Sequence, residues 1–124
     1  MAGLPPSARL RRAAEFAAFR TASGGVQTRH FLVRTLPSTA GQPRLGMAVS
    51  RKVSKRAVAR NRIKRLIRES FRLRRGALPA LDVLVIARSS AAGTATPALR
   101  ADLEVAWRKL EALMAEPAPG TMGG

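Results

Sequence analysis

Residues 57–73 constrain the fold more than any other part of the sequence. Their apolar side chains recur every three or four positions, which in an α-helix places them along one side. The residues on this side are Ala59, Ile63, Leu66, Ile67, Ser70 and Phe71. Gly76 and Pro79 follow and end the pattern. Because a helix with one apolar side must bury it against another element, the segment predicts a layered domain.

The opposite side of this helix is polar and carries charge of one sign: beside the neutral Asn61 it holds Arg60, Lys64, Arg65, Arg68 and Arg72. Residues 51–75 hold twelve Arg or Lys and a single acid, Glu69. A solvated helix normally mixes signs, because like charges on successive turns repel. A basic stripe is typical of phosphate binding, and the net charge of +16 on 124 residues agrees with a polyanionic partner. A face that merely keeps the protein soluble is the alternative.

The chain on either side of this helix predicts a second helix and a small sheet. Residues 12–22 form an opening helix that the Gly24-Gly25 pair ends. Strands are predicted at residues 30–36 and 45–50, with a weaker one at 26–28, and a buried strand at 81–87. We expect the strands at 30–36 and 45–50 to pair as an antiparallel hairpin.

A last helix begins at Thr96-Pro97, where a side-chain cap precedes proline at the first helical position. Its apolar stripe is Leu99, Leu103, Ala106, Leu110 and Leu113. Residues 1–8 and 116–124 are rich in Pro or Gly without an apolar period, so we expect disordered tails around one domain at 9–115. The element order predicts helices layered on a small mixed sheet.

The sequence shows no catalytic centre of its own. The seven acids are scattered, whereas a metal-dependent nuclease needs converging carboxylates. His30 is the only histidine, and we interpret it as an ordinary surface or half-buried side chain rather than a catalytic base. Cysteine is absent, so neither a disulfide nor a cysteine zinc site can form.

The location predicted from the sequence is cytoplasmic. The longest apolar run, residues 83–87, is too short to span a bilayer, and the first residues lack the apolar core of a secretory signal. A transit peptide at residues 1–25, rich in Arg and Ala with one acid, is the alternative.

Residues 60–72, RNRIKRLIRESFR, closely resemble the RNR signature of the bacterial ribonuclease P protein family. Upstream, RLGMAVSRK at 44–52 is similar to the family's strand leading into the signature helix. Residues 78–88 are similar to its following strand, and residues 9–19 to its opening helix. The resemblance covers about residues 9–113.

This resemblance implies an α+β fold, a two-layer α/β sandwich in the order αβββαβα that is shared with a ribosomal protein domain. It also implies a mixed four-stranded sheet with a left-handed βαβ crossover through the signature helix. General handedness rules would favour the opposite hand.

The function that the resemblance implies is that of a protein subunit of ribonuclease P. Such a subunit binds the catalytic RNA and the 5′ leader of precursor tRNA, and it assists endonucleolytic removal of the leader. The RNA partner would hold Mg²⁺ and carry out the hydrolysis, so the protein would contribute no catalytic residue or metal ligand.

Two groups of residues follow from the family likeness. The face toward the catalytic RNA would comprise Arg56, Arg60, Asn61, Arg62, Lys64, Arg65, Arg68 and Arg72. The leader cleft, between the first helix and the sheet, would comprise Phe16, Phe19, Arg34, Arg51 and Lys52. The family spaces its cleft aromatics four residues apart, whereas Phe16 and Phe19 are three apart, and Arg34 stands where relatives often have an aromatic. Core packing is the alternative role for both phenylalanines.

Two other classes of function fit the composition less well. A structural RNA-binding protein of the ribosome would suit the charge and the fold but not the RNR stretch. An anionic-membrane binder would need large aromatics on the apolar side of its basic helix, where this chain has only Phe71. We therefore expect no membrane partner.

Overall fold

A four-stranded sheet with three α-helices forms the part of the chain that the structure, a computed structural model, describes: residues 4–21 and 24–115. The strands are β1 Gly24–Gln27, β2 Phe31–Pro37, β3 Arg44–Ala48 and β4 Leu81–Ala87. The helices are α1 Ala13–Ala17, α2 Ala57–Arg74 and α3 Thr96–Ala115. This is the predicted order αβββαβα, and the mixed α+β fold class is confirmed.

The strand order in the sheet is β1-β2-β4-β3. Strand β2 pairs antiparallel with both β1 and β4, whereas β3 pairs parallel with β4. The expected hairpin between β2 and β3 is therefore wrong, because β4 lies between them. Strand β4, which is apolar except for Asp82 and is largely buried on both faces, belongs in the sheet interior. The parallel pair joined through α2 is the predicted βαβ crossover, and its left hand stays a prediction.

Helices α2 and α3 cover one face of the sheet and build the main core. The predicted apolar side of α2 is confirmed, with Ile63, Leu66, Ile67, Ser70 and Phe71 all buried. On α3 the stripe is buried from Leu99 to Leu110, but Leu113 is 43% exposed, so the packed part of the helix ends before it.

Trp107 joins the two helices at the centre of this core. It is fully buried, and its ring meets Phe71 edge to face with 5.9 Å between ring centroids. Its indole N–H donates a 2.7 Å hydrogen bond to the Ser70 hydroxyl. That bond satisfies the one polar group of the ring, which would otherwise be costly to bury.

Helix α1 and the 3₁₀ turn Ala18–Thr21 lie on the other face of the sheet. A second small cluster there consists of Leu10, Phe19 and Leu84, with Phe16 and Ile86 packed against it. With only five residues, α1 is too short to be stable alone and depends on these contacts.

Residues 4–8, before α1, pack against the rest of the domain, so the predicted disordered tail at 1–8 is wrong for these residues. Pro6–Ala8 form a 3₁₀ turn, and both Leu4 and Ala8 are buried in the main core. The apolar side chains of Leu4 and Ala8 pack in this core, and the absence of an apolar period around the prolines gave no sign of it. Residues 1–3 and the predicted tail at 116–124 lie outside the described residues. Within residues 4–21 and 24–115, no helix has the length and apolarity needed to cross a membrane.

Candidate nucleic-acid interface

The predicted RNA face lies along the outer side of α2 and the turn before it. Arg56, Asn61 and Arg65 are exposed, and Lys64 and Arg68 are half-buried. The side chains of these five make no hydrogen bond or ion pair with any described residue. Four positive charges therefore lack a counter-ion within the described part of the chain, which leaves them available to a polyanion.

Arg60 and Arg62, although part of the same predicted face, are held by the protein itself. Arg60 Nη1 donates to the backbone carbonyls of Ser54 and Lys55, both at 3.0 Å, and so closes the turn that precedes α2. Arg62 Nη1 donates to Thr96 Oγ1 at 2.9 Å, and its Nη2 lies 3.4 Å from the Thr94 carbonyl. Arg62 therefore connects α2 to the start of α3, a role that the sequence did not predict.

The C-terminal part of α2 is neutralised by acids. Arg72 makes a two-point contact with Glu69, at 2.6 and 3.2 Å, and this hydrogen bonding holds the pKa of Glu69 below its ordinary value. Arg74 pairs with Glu104 at 3.1 Å and Glu111 at 2.7 Å, both on α3. Arg72 thus lies on the predicted RNA face, but its charge is already paired with Glu69. Along α2 and the turn before it, the unpaired positive charges lie between residues 56 and 68.

The predicted leader cleft is only partly supported by the side-chain positions. Phe19 is 4% exposed against Leu10 and Leu84, so its ring has no free face for a base, and the structure places it in the core. Phe16 is half-buried and lies over Gly46 of β3. Arg34 is half-buried opposite Leu84 on β4.

Two cations of the predicted cleft follow β3. Arg51 and Lys52 are exposed in the turn after that strand. Of the five residues predicted for the cleft, the exposed or half-exposed ones are therefore one aromatic, Phe16, and three cations, Arg34, Arg51 and Lys52.

An ion-pair chain that sequence reasoning missed joins α1 to the sheet. Glu15 Oε1 accepts hydrogen bonds from the backbone N–H groups of Arg11 and Arg12, each at 2.9 Å, at the start of α1. Its Oε2 lies 2.9 Å from Arg44 Nη1, and Arg44 also binds both carboxylate oxygens of Asp82 at 2.8 Å. An acid three residues after a helix start was the available signal.

The electrostatics of this chain follow from those contacts. The backbone bonds from Arg12 and Arg11, together with the nearby Arg44 charge, hold the pKa of Glu15 below its ordinary value. The contact with Asp82 raises the pKa of Arg44 despite partial burial. The contacts with Glu15 and Asp82 therefore hold Arg44, and through it α1, against the sheet edge.

The six acids that lie within the described residues all make hydrogen bonds inside the fold. Asp102 accepts from Thr28 Oγ1 at 2.6 Å and from the His30 backbone N–H at 2.9 Å. His30 itself is 8% exposed, with Nδ1 2.8 Å from Ser90 Oγ. Across residues 4–21 and 24–115, no group of three or more acids and histidines could hold a metal ion.

Comparison with known proteins finds one family throughout. A sequence model described as Ribonuclease P matches residues 4–111. The Ribonuclease P protein component of Chromohalobacter salexigens is 42% identical over 110 residues, covering 88% of this chain and 86% of that protein. The protein component of Idiomarina loihiensis is 48% identical over 83 residues, which span 67% of this chain and 66% of the relative, just under two thirds of its length.

Solved structures agree with the sequence comparison. The RNase P protein of Staphylococcus aureus superposes with a TM-score of 0.74 at 33% identity, over 87% of this chain and 92% of that one. The RNase P protein of Thermotoga maritima gives a TM-score of 0.70 at 29% identity, over 83% of this chain and 94% of that one.

Proposed function

This chain belongs to the Ribonuclease P family of protein components, and we propose that it binds the catalytic RNA of ribonuclease P and the 5′ leader of precursor tRNA. In that assembly it assists endonucleolytic removal of the leader, which makes the mature 5′ end of tRNA. The working location is the cytoplasm, where bacterial precursor tRNA is found.

The observation that carries the proposal is the row of unpaired cations on α2. Arg56, Lys64, Arg65 and Arg68 have no acidic partner among the described residues, although Arg44, Arg72 and Arg74 each pair with an acid. Like charges left side by side destabilise a helix, and phosphates would remove that cost. Cations without a nearby acid, as at these four positions, are what a face that binds RNA phosphates needs.

The leader is assigned to the opposite sheet face because that face carries a partly exposed ring. Phe16 can stack on an unpaired base, and Arg51 and Lys52, which are exposed in the turn after β3, would contact phosphates of a single strand. A guanidinium plane at Arg34 can also lie against a base. Phe19 is left out of this assignment, since it is buried.

Hydrolysis is assigned to the RNA, with Mg²⁺ held mainly by that partner. The carboxylates of the described residues bind arginines, hydroxyls or backbone N–H groups and do not converge on one point. The acids between residues 4 and 115 that the structure describes therefore do not form a Mg²⁺ site. The protein's part is to bind and position the two RNAs.

Reconstitution with a transcript of the host's catalytic RNA tests this function. At low Mg²⁺, adding the protein should stimulate cleavage of precursor tRNA at the leader junction. A double variant, Arg65→Ala with Arg68→Ala, should lose most of the stimulation, whereas Arg108→Ala, exposed on α3, should keep it. If the protein stimulates no such RNA, the proposal fails, and tight binding to ribosomal RNA instead would indicate a structural ribosomal role.

A further inference from the structure

The turn between β3 and α2, residues 50–56, carries exposed cations and is called the basic turn below. These cations are Arg51, Lys52, Lys55 and Arg56. We propose that Arg60 is a positioning residue, which holds the basic turn in one shape and so fixes the cations assigned to the leader relative to Arg56, which is assigned to the catalytic RNA. The proposal rests on the proposed function and deepens it, because both RNAs are named there.

Arg60 contacts the backbone of the basic turn. Its Nη1 donates to the carbonyls of Ser54 and Lys55, both at 3.0 Å, so that one nitrogen bridges two successive peptide groups. The backbone N–H of Arg60 donates to the Arg56 carbonyl at 3.1 Å, in the first turn of α2. The same residue therefore belongs to the rigid helix and holds the chain that leads into it. Hydrogen bonds from a charged donor are stronger than neutral ones, which suits this role.

The basic turn needs such a contact because its own charges act against a compact shape. In the part of the chain that the structure describes, none of its four cations pairs with an acid. Val53 is buried in the main core, and its N–H donates to the Ser50 carbonyl at 3.0 Å. These contacts anchor the side of the turn toward β3. On the side toward α2, the Ser54 hydroxyl accepts the Arg56 N–H at 3.2 Å, and Arg60 adds its two bonds.

The shape of the turn sets the distance between contacts to two different RNAs. In an extended chain, the Cα atoms of Arg51 and Arg56 could separate by up to roughly 17 Å. The turn closed by Val53 and Ser50 shortens this path, since the ends of such a turn lie within about 7 Å of each other. With the turn held, the leader and the catalytic RNA meet one rigid unit. Arg60 then affects the affinity for both RNAs through the turn.

The first test measures backbone dynamics in the free protein by NMR relaxation. In Arg60→Ala, the order parameters of residues 54–56 should fall from about 0.85, as in rigid backbone, to below about 0.6. Arg65→Ala is the matched control, because it removes an arginine of the same helix that has no printed contact with the turn, and it should leave these order parameters unchanged. Arg60→Met, which keeps the aliphatic stem, takes the place of Arg60→Ala if that variant does not fold. A turn that stays rigid without the guanidinium would overturn the proposal.

The second test separates positioning by Arg60 from direct contact with RNA, which its remaining N–H groups could also make. Arg51→Ala with Lys52→Ala removes the cations on the leader side and leaves Arg60 in place. In the wild-type holoenzyme, Arg60→Ala should weaken precursor tRNA binding by about fivefold or more. In the holoenzyme without Arg51 and Lys52, the same change should weaken it by less than about twofold, because no cation is left there to position.

The side of the turn toward the catalytic RNA is tested in the same way, with Arg56→Ala as the background and affinity for that RNA as the readout. Arg65→Ala, an independent contact, should weaken this affinity by the same factor with and without Arg56→Ala. If Arg60→Ala also costs the same factor in every background, Arg60 contacts RNA directly and the proposal is overturned. That outcome leaves the proposed function intact, because stimulation of leader cleavage is measured separately. Conversely, a protein that stimulates no catalytic RNA would remove the function, whereas the NMR measurement of the turn would still stand.

Discussion

Arg62→Ala and Arg65→Ala should have opposite consequences, although the two arginines lie three residues apart on the same helix. Arg65 is exposed and has no side-chain partner among residues 4–21 and 24–115. Arg62 is half-buried and donates to Thr96 and, over a longer distance, to Thr94 at the start of α3. We therefore expect Arg62 to act on stability and Arg65 to act on RNA affinity.

The magnitudes follow from these contacts. A hydrogen bond from a charged group contributes about 1.5 to 3 kcal/mol, and partial exposure places Arg62→Ala near the lower end, at about 1 to 2 kcal/mol of unfolding free energy. In a domain of this size each kcal/mol lowers the melting temperature by about 4 °C or more. Arg65→Ala should change stability by less than about 0.5 kcal/mol. Its lost phosphate contact should weaken RNA binding by about 1.5 to 3 kcal/mol, or roughly 10- to 150-fold.

Melting curves of the free protein measure the effect on stability. Titrations against the catalytic RNA measure the effect on affinity, at one salt concentration and at a temperature well below the melting temperatures of both variants. Thr96→Val completes a double-mutant cycle with Arg62→Ala. If the bond to Thr96 is responsible, the double variant should lose less stability than the sum of the single losses. An unchanged melting temperature for Arg62→Ala, or an unchanged affinity for Arg65→Ala, would refute the corresponding assignment.

Three further predictions concern the two RNA faces and the anchoring of α1. RNA affinity should fall steeply with salt, with a log-log slope of roughly −4 to −5 if about five phosphate contacts form, and a slope near zero would exclude the basic face. Phe16→Ala should weaken holoenzyme binding to precursor tRNA by about 1 to 3 kcal/mol but not to mature tRNA, whereas equal losses with a lower melting temperature would make it a core residue. Because the pKa of Glu15 is lowered in the fold, its ionised form stabilises the protein above the ordinary carboxylate value of about 4.3, and this contribution is lost as the pH falls through the lower folded value. In Glu15→Gln, the melting temperature should therefore fall less steeply as the pH is lowered. If it falls as steeply as in the wild type, Glu15 does not stabilise the attachment of α1 to the sheet.

Local periodicity was sufficient to locate the major elements. The predicted helix at 57–73 corresponds to α2, Ala57–Arg74, and the predicted strand at 81–87 to β4. Both predictions depend on the spacing of apolar residues within one element, which needs no knowledge of the partner.

Strand order could not be predicted in the same way. The expected hairpin between β2 and β3 failed because β4, more than thirty residues further along than β3, pairs with both. Likewise, the proline-rich sequence of residues 4–8 predicted disorder, whereas Leu4 and Ala8 are buried in the main core. Both outcomes depend on contacts between distant segments, and proximity in sequence is only a statistical guide to these.

For the basic face of α2, too, some features could be predicted from the sequence and others depended on tertiary contacts. The sequence by itself determined that α2 carries one apolar side and one basic side, because the helical repeat alone places those residues. Arg72 and Arg60 have partners close by in the sequence, but for the other paired arginines only the tertiary structure decided which cations are held by the protein: Thr96 contacts Arg62, Glu111 contacts Arg74 and Asp82 contacts Arg44. A charge is available to a ligand only when no acid or carbonyl is folded against it, and folding brings such groups together from positions that no local pattern relates.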